Sequence, residues 1–378
     1  MATAPAERKS TNSWWQSPYD RWLVTQDVPV FTGYYVEDLR TIELGWWELR
    51  GCPGAVLNLV GHQGVTEAHI LQVPPGETIP PFRMATEEII YVVEGQGIAT
   101  VWAEGHPQIN FEWQKHSLFR IPSNYYYQLS NARGDQPALT LHVSYLPLAM
   151  GIQPREEFFF NNSFVDPTEL YGSEGNPFSS EAYAVRETVD RGGEKHETHQ
   201  WHANFFPDLN VWDKLTAYGS KNRRAFGAGI TFPNSAIRTG MMVLPPQRYR
   251  AAHRHGPGVT IVGVAPGDGF AVMYPEGGEK IVCPWTEASV FVPPNNWFHQ
   301  HLNPGGTQNR QLRVFPPKAL MGYDGGLNKE VPFHEEDPWV REQFETALAT
   351  QGLPSLMPPQ IYEDPDYVWD DPEMRDKD

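Results

Sequence analysis

The chain has 378 residues, 40% of them hydrophobic and 20% charged, a balance that suits a packed globular protein and excludes a disordered one. This length exceeds the roughly 250–300 residues at which one core stops growing, so two domains or a duplicated unit are expected. The formal net charge of −17 argues against nucleic acid as a partner, because phosphates need basic patches. There is no basic helix for a membrane surface, and no run of about 18 apolar residues to span one.

In chain order, the opening "MATAPAERKSTNSWWQSPYD" lacks an apolar signal core, so no secretory leader is expected. Its aromatic stretch "WWQSPYDRW" offers a surface for pairing, and a homo-oligomer is expected. The only two cysteines, Cys52 and Cys283, cannot build a disulfide framework and fit a reducing cytoplasm. From Val73 runs "VPPGETIPPFRMATEEIIYVVEGQGIATVWAEG". Its β-branched runs, punctuated by Gly and Pro, predict short antiparallel strands closing into a small barrel or jelly roll. "GQG" is read as a hairpin turn and not a phosphate loop, since no helix follows it.

Residues 152–204 carry weaker strand signals and read as a loop-rich linker. His196, His199 and His202 lie there, but neither helix nor strand spacing gathers all three on one face, so they are read as linker residues. A second copy then begins at Leu244, "LPPQRYRAAHRHGPGVTIVGVAPGDGFAVMYPEGG". Pro74-Pro75 recurs 171 residues later as Pro245-Pro246, and Trp113 recurs 172 later as Trp285. Internal duplication of this kind predicts two units of one design. The stretch "EEDPWVREQFETALATQG" predicts a helix, with Asp337 as N-cap, Pro338 in the first turn and Gly352 beyond the last. An acidic tail follows. The predicted fold is therefore all-β: two tandem jelly-roll barrels (residues 1–151 and 205–322), the linker 152–204, and a short helix and tail (323–378).

Two His-x-His pairs stand out among only 13 histidines: His253 with His255, and His299 with His301. Residues i and i+2 of a strand share a face, so neighbouring strands would converge three or four imidazoles on one point. A lone histidine is ordinarily a satisfied core or surface residue. Two pairs at equivalent barrel positions favour a site for Fe, Zn, Cu, Ni or Mn. Alternation also places Tyr249 and Ala251 on the His253 face, with Arg250 and Arg254 opposite. Tyr249 and Trp297 are read as pocket walls. Arg238 and Arg313 are candidates to hold a substrate carboxylate.

This pattern resembles the cupin superfamily, whose motifs run roughly G-x5-H-x-H-x3-4-E-x6-G and G-x5-P-x-G-x2-H-x3-N. His253 and His255 match the first motif. Pro294, His299 and Asn303 match the second, while Gln247 and Asn296 stand where glycines are expected. The resemblance implies a bicupin with His253, His255 and His299 as metal ligands; His301 is a fourth ligand or, preferred because the family pattern uses one histidine there, a catalytic proton carrier beside them. Val259 or Thr260 falls where the family has its glutamate. Three histidines without a carboxylate resemble gentisate-, salicylate- and 1-hydroxy-2-naphthoate-type ring-cleaving dioxygenases. In the first copy Phe82, Met84 and Tyr127 replace the three histidines and only Glu88 remains. That barrel is expected to bind no metal and to fill its own centre, with the Tyr127 hydroxyl as partner for Glu88.

The resulting expectation is a mononuclear non-haem metal dioxygenase holding one divalent ion, Fe(II) first and Mn, Ni, Cu or Zn as substitutes. It would cleave a C–C bond of a hydroxylated aromatic acid or β-dicarbonyl with O2. Two alternatives stand beside it: a redox-neutral isomerase, lyase or decarboxylase on the same scaffold, and a non-catalytic binding bicupin.

Overall fold

The computed structural model describes residues 16–172, 174–191, 194–217, 225–317 and 329–369, with the backbone alone at 189–191 and 194–196. Each half pairs a large sheet with a small one. In the N-terminal barrel the large sheet runs Val30–Phe31, Cys52–Leu57, Glu67–Val73, Ala138–Ser144, Glu88–Glu94, Leu118–Ile121, Phe205–Phe206. Its small sheet runs Tyr126–Asn131, Gln96–Trp102, Ile109–Gln114. In the C-terminal barrel the large sheet includes Phe226–Thr231, Arg238–Leu244, Asn309–Phe315, Thr260–Gly263, Val290–Phe291 and Tyr35–Val36. The small sheet is Arg248–Tyr249, Phe298–Asn303, Gly269–Tyr274, Ile281–Trp285. The architecture is all-β, two jelly rolls in tandem, as the strand and turn signals predicted.

The duplication extends to single contacts. Phe82 bridges Tyr127 in the first barrel, and His253 bridges His299 in the second. Asn131 Nδ2 donates to the carbonyls of Val73 and Gln136, and Asn303 Nδ2 donates to those of Leu244 and Thr307. Gly97 and Gly269 sit beneath Trp113 and Trp285. A Cβ at these positions would lie 2.4 Å and 2.3 Å from the two indoles, so only glycine lets the tryptophans close each barrel end.

The halves exchange strands. Tyr35–Val36, near the start of the chain, pairs with Val290–Phe291 of the second barrel, and Phe205–Phe206 pairs with Leu118–Phe119 of the first. The two large sheets share one apolar core, in which Ile70, Ile89, Tyr91 and Leu141 meet Met241, Val243, Val262 and Leu312. Polar contacts add to it. Glu87 of the first barrel accepts from the backbone N–H groups of Ala236 and Ile237 in the second.

The linker differs from its reading as loop. Tyr183–Arg191 and Glu194–His202 form a hairpin, and the second strand pairs in parallel with Phe226–Thr231. In sequence, Glu187 interrupts the Tyr183/Val185/Val189 alternation of the first strand and the second has Trp201 as its one large apolar residue, so the period-two hydrophobic alternation that reveals a half-buried strand is weak. His199 Nδ1 lies 2.9 Å from the Thr216 hydroxyl, and the His202 ring stacks on Tyr183. The His196 side chain lies outside the described residues.

The helix Pro338–Thr350 forms as predicted. Asp337 accepts from the Trp339 N–H, and Gly352 follows at φ +68°. Its buried face (Val340, Phe344, Leu348) covers the outer side of the small sheet at Tyr249, Val272 and Leu302. Tyr362, Tyr367 and Trp369 of the tail pack against the same cluster. Among the described residues no helix is long and apolar enough to cross a membrane.

Candidate metal centre

Strand Phe298–Asn303 alternates as its sequence demands. Leu302 turns outward to the helix cluster, and Gln300 Nε2 donates outward to Glu336 Oε1 at 2.7 Å. His299 and His301 therefore face the barrel interior together, and the His301 ring lies 5.6 Å from Phe291. His253 reaches them by a hydrogen-bonded bridge, its N–H donating to the His299 carbonyl and its carbonyl accepting from the His299 N–H. Ligand atoms of His253, His299 and His301 all lie within 4.8 Å of one another.

His255 stands one ring outside this set. Its centroid is 4.7 Å from His299 and 6.2 Å from His253. The resemblance implied His255 as ligand and His301 as neighbour; the convergence of ligand atoms takes in His301 instead. After the bridge at His253 the chain leaves strand geometry for the Gly256–Gly258 turn, so the same-face rule for i and i+2 holds for the 299/301 pair and not for 253/255.

The arginine and tyrosine expectations are corrected for a related reason. Tyr249 pairs with Leu302 and the Arg250 N–H bonds the His301 carbonyl, yet His253 pairs with His299. Two residues on one strand thus oppose one on the other between these points, a bulge that reverses the alternation. Tyr249 consequently points away from the histidines, into the cluster of Phe333, Phe344 and Tyr362, with its hydroxyl on Glu336 Oε2 at 2.5 Å. It cannot wall a pocket at the histidines. Arg250, expected on the outer face, is buried, and its charge acts on His253, His255, His299 and His301 alike. Arg313 adds to this at His255 and His301, whereas Arg238 is exposed at the start of its strand. Trp297 is half-buried at the edge of the interior cluster, tilted against Tyr34, which the N-terminal segment contributes.

Burial, reinforced by Arg250 and by the neighbouring imidazoles, holds His253, His299 and His301 well below the usual histidine range. His255 is pushed down to about 4, mainly by burial. All four are neutral near pH 7, the form that offers a lone pair. His253 Nδ1 and His255 Nδ1 lie against the carbonyls of Ala251 and Gly256, at 3.3 Å and 2.7 Å. Such contacts orient a metal-binding imidazole and leave Nε2 as the donor. His299 is 1% exposed, and among the described residues neither ring nitrogen has a hydrogen-bond partner of ordinary geometry. A buried polar group without a partner is costly. A divalent ion bound among these imidazoles would satisfy it, so the donor set fits a metal.

The equivalent place in the first barrel is built differently. Phe82 and Met84 are buried there, and the Tyr127 hydroxyl donates to Glu88 Oε2 at 2.8 Å, as expected. The sequence reading missed Arg50, His69 and His142. Arg50 Nη2 lies 2.9 Å from Glu88 Oε1, 2.9 Å from His69 Nε2, 2.7 Å from the Tyr127 hydroxyl and 3.3 Å from His142 Nδ1. Its guanidinium also stacks 3.8 Å over Phe82. Although His69, Glu88 and His142 have ligand atoms within 4.8 Å of one another, a protein cation already stands among them, and they do not fit a metal. Arg50 is the main favourable influence that holds Glu88 well below the usual carboxylate range against the cost of burial, while burial pushes His142 down to about 3. One signal was available. Ile70 and Leu141 face the inter-barrel core, so their neighbours His69 and His142 had to face the interior.

No family model matches the chain, and no curated protein matches it. Among solved structures it is similar to a Bacillus subtilis oxalate decarboxylase described with Mn(II) centres, at TM-score 0.48 and 11% identity over 82% of this chain and 83% of that one. It is also similar to the Lactobacillus farciminis oxalate decarboxylase formate complex, at 0.49 and 12% over 85% and 96%. The coconut allergen cocosin matches at 0.48 and 11% over 85% and 97%. These likenesses carry no argument about substrate or metal; the fold rests on the strand pairing described above.

Proposed function

We propose that the C-terminal barrel holds one divalent metal ion on His253, His299 and His301, with His255 beside them. The chain is then a metalloenzyme that cleaves a C–C bond of a small oxygenated acid with O2. The observation that carries this reading is His299: buried, neutral, with neither ring nitrogen in a hydrogen bond of ordinary geometry among the described residues, in a cluster of imidazoles. When bound, the ion supplies Lewis acidity and, as Fe(II), a means of bringing O2 and substrate together. Arg250 and Arg313 concentrate positive charge at the imidazoles, which suits a substrate carboxylate. Trp297 and Tyr34 shield one edge from water. His255, with Nδ1 on the Gly256 carbonyl, keeps Nε2 as an acceptor that can orient a hydroxyl of a bound substrate.

The test is anaerobic loading with Fe(II), removal of free metal, and oxygen uptake across a panel of catechols, salicylates and β-diketones. Uptake matched by ring- or chain-cleaved product is expected from the loaded protein. The same two arginines also favour a second reading, redox-neutral decarboxylation or lyase chemistry on a carboxylate held by guanidinium groups. Full turnover under argon with Zn or Mn would select it over the first.

A further inference from the structure

The segment Lys329–Val331 lies along the residues that carry His253. The Arg254 N–H donates to the Lys329 carbonyl at 3.1 Å, and the Val331 N–H donates to the Ala252 carbonyl at 2.8 Å. These two bonds bracket His253 and Glu330, which face each other as an antiparallel bridge. Because the bonds flank the pair, 253 and 330 form a non-hydrogen-bonded pair. Such pairs have Cα atoms about 4.5 Å apart, with their side chains on the same face of the sheet. His253 is bridged on its other side by His299. One row thus crosses three chain segments in the order His299, His253, Glu330, and the side chains of a row leave the sheet on one face. The Glu330 carboxylate lies 3.8 Å from Arg250 Nη2, the guanidinium whose charge acts on all four histidines.

The strap is anchored just beyond. Phe333 is buried against Tyr249, and Glu336 receives hydrogen bonds from the Tyr249 hydroxyl and from Gln300 Nε2. Gln300 is the residue between His299 and His301. The two ends of the described strap are therefore held to the two strands that carry the histidines, which sets the position of Glu330 against them. A dication among neutral imidazoles beside Arg250 meets positive charge, and a carboxylate in the same row offsets it at short range.

We propose that Glu330 is a fourth protein ligand of the metal centre, supplied by the C-terminal strap and moving from Arg250 to the ion when metal binds. The proposal rests on the metal-centre reading above. A carboxylate oxygen is an ordinary donor to Fe, Mn and Zn beside imidazole.

The test compares the full-length wild type with Glu330→Gln, Glu330→Ala and Lys329→Ala, the last a control on the same strap outside the row. Co(II) and Zn(II) affinities are read by chelator competition, and the Co(II) visible spectrum is recorded for each. At least about 100-fold weaker binding in both Glu330 variants is expected, since losing even an outer partner of a metal ligand costs 10–100-fold. An altered Co(II) spectrum should accompany it, with Lys329→Ala like the wild type. Wild-type affinity and spectrum in Glu330→Gln would overturn the proposal and leave Glu330 as a partner of Arg250, with the three-histidine centre intact. If Glu330→Ala does not fold, Glu330→Gln, which keeps the shape, decides. A wild type that binds neither ion overturns the metal-centre reading, and this inference with it.

Discussion

Phe82 pairs with Tyr127 in one barrel where His253 pairs with His299 in the other, and the groups around the two pairs solve different problems. In the first barrel a carboxylate, two imidazoles and a phenol surround the guanidinium of Arg50, a cation that belongs to the chain. In the second, imidazoles converge on one another, and the nearby charges are Arg250 and Arg313, with Glu330 of the strap beside Arg250. A guanidinium fills its surroundings with donors and leaves no position for a substrate. Neutral imidazoles satisfy one another poorly and favour an exchangeable cation with open positions. The duplicated scaffold thus carries a structural cation in one half and a candidate reactive centre in the other.

The largest expected effect is all-or-none. After Fe(II) loading and desalting, wild type should hold about one ion per chain and His299→Ala essentially none. An undiminished ion in His299→Ala would mean that His299 does not hold the metal, and would break the comparison. Next is Arg50→Met, which strands Glu88 as a buried charge without its main partner. A loss of about 3–5 kcal/mol in urea unfolding is expected, and adding Glu88→Gln should recover part of it. Unchanged stability in Arg50→Met would mean that the guanidinium is not the cation that organises this barrel.

Third is a pH effect behind the metal strand. Burial raises the Glu336 carboxyl from 4.5 to about 7 in the folded chain. A group raised on folding contributes stability that is complete below about pH 4.5 and is lost as pH rises through about 7. The wild type should therefore lose about 3 kcal/mol across that window from this group. Glu336→Gln, which cannot ionise, should show a correspondingly flatter stability between pH 5 and pH 8 by urea unfolding. Equal slopes would show that the carboxyl titrates normally. The smallest effect sharpens the first barrel's ledger of partners. Tyr127→Phe removes one hydroxyl from Glu88 but leaves Arg50 in place, and should cost about 1–2 kcal/mol in the same assay.

Much of this organisation is local and therefore legible along the chain. The repeat shows because each copy spends the same Pro, Gly and Trp at the same turns. The helix at Pro338 shows because its cap, first-turn proline and terminal glycine are contiguous. His299 and His301 show because an uninterrupted strand obeys period two. The replacement of histidines by Phe82, Met84 and Tyr127 was visible for the same reason. The hairpin at 183–202 was not, because a charged residue interrupts the apolar alternation of its first strand and its second carries one large apolar residue, which leaves little hydrophobic period to read.

The sequence by itself determined that the chain would form two like barrels, that histidines would cluster in the second, and that Glu88 would need Tyr127 in the first. Only the tertiary structure decided which cation stands beside Glu88, since Arg50 lies before the duplicated stretch whose alignment pointed to Glu88 and Tyr127. It also decided that a bulge between Tyr249 and His253 turns Arg250 inward and Tyr249 outward, because one extra residue inverts every face beyond it. And it placed Glu330 in register with His253. Pairing between segments far apart in sequence is chosen by the packing of the whole molecule, not by the pattern within either segment.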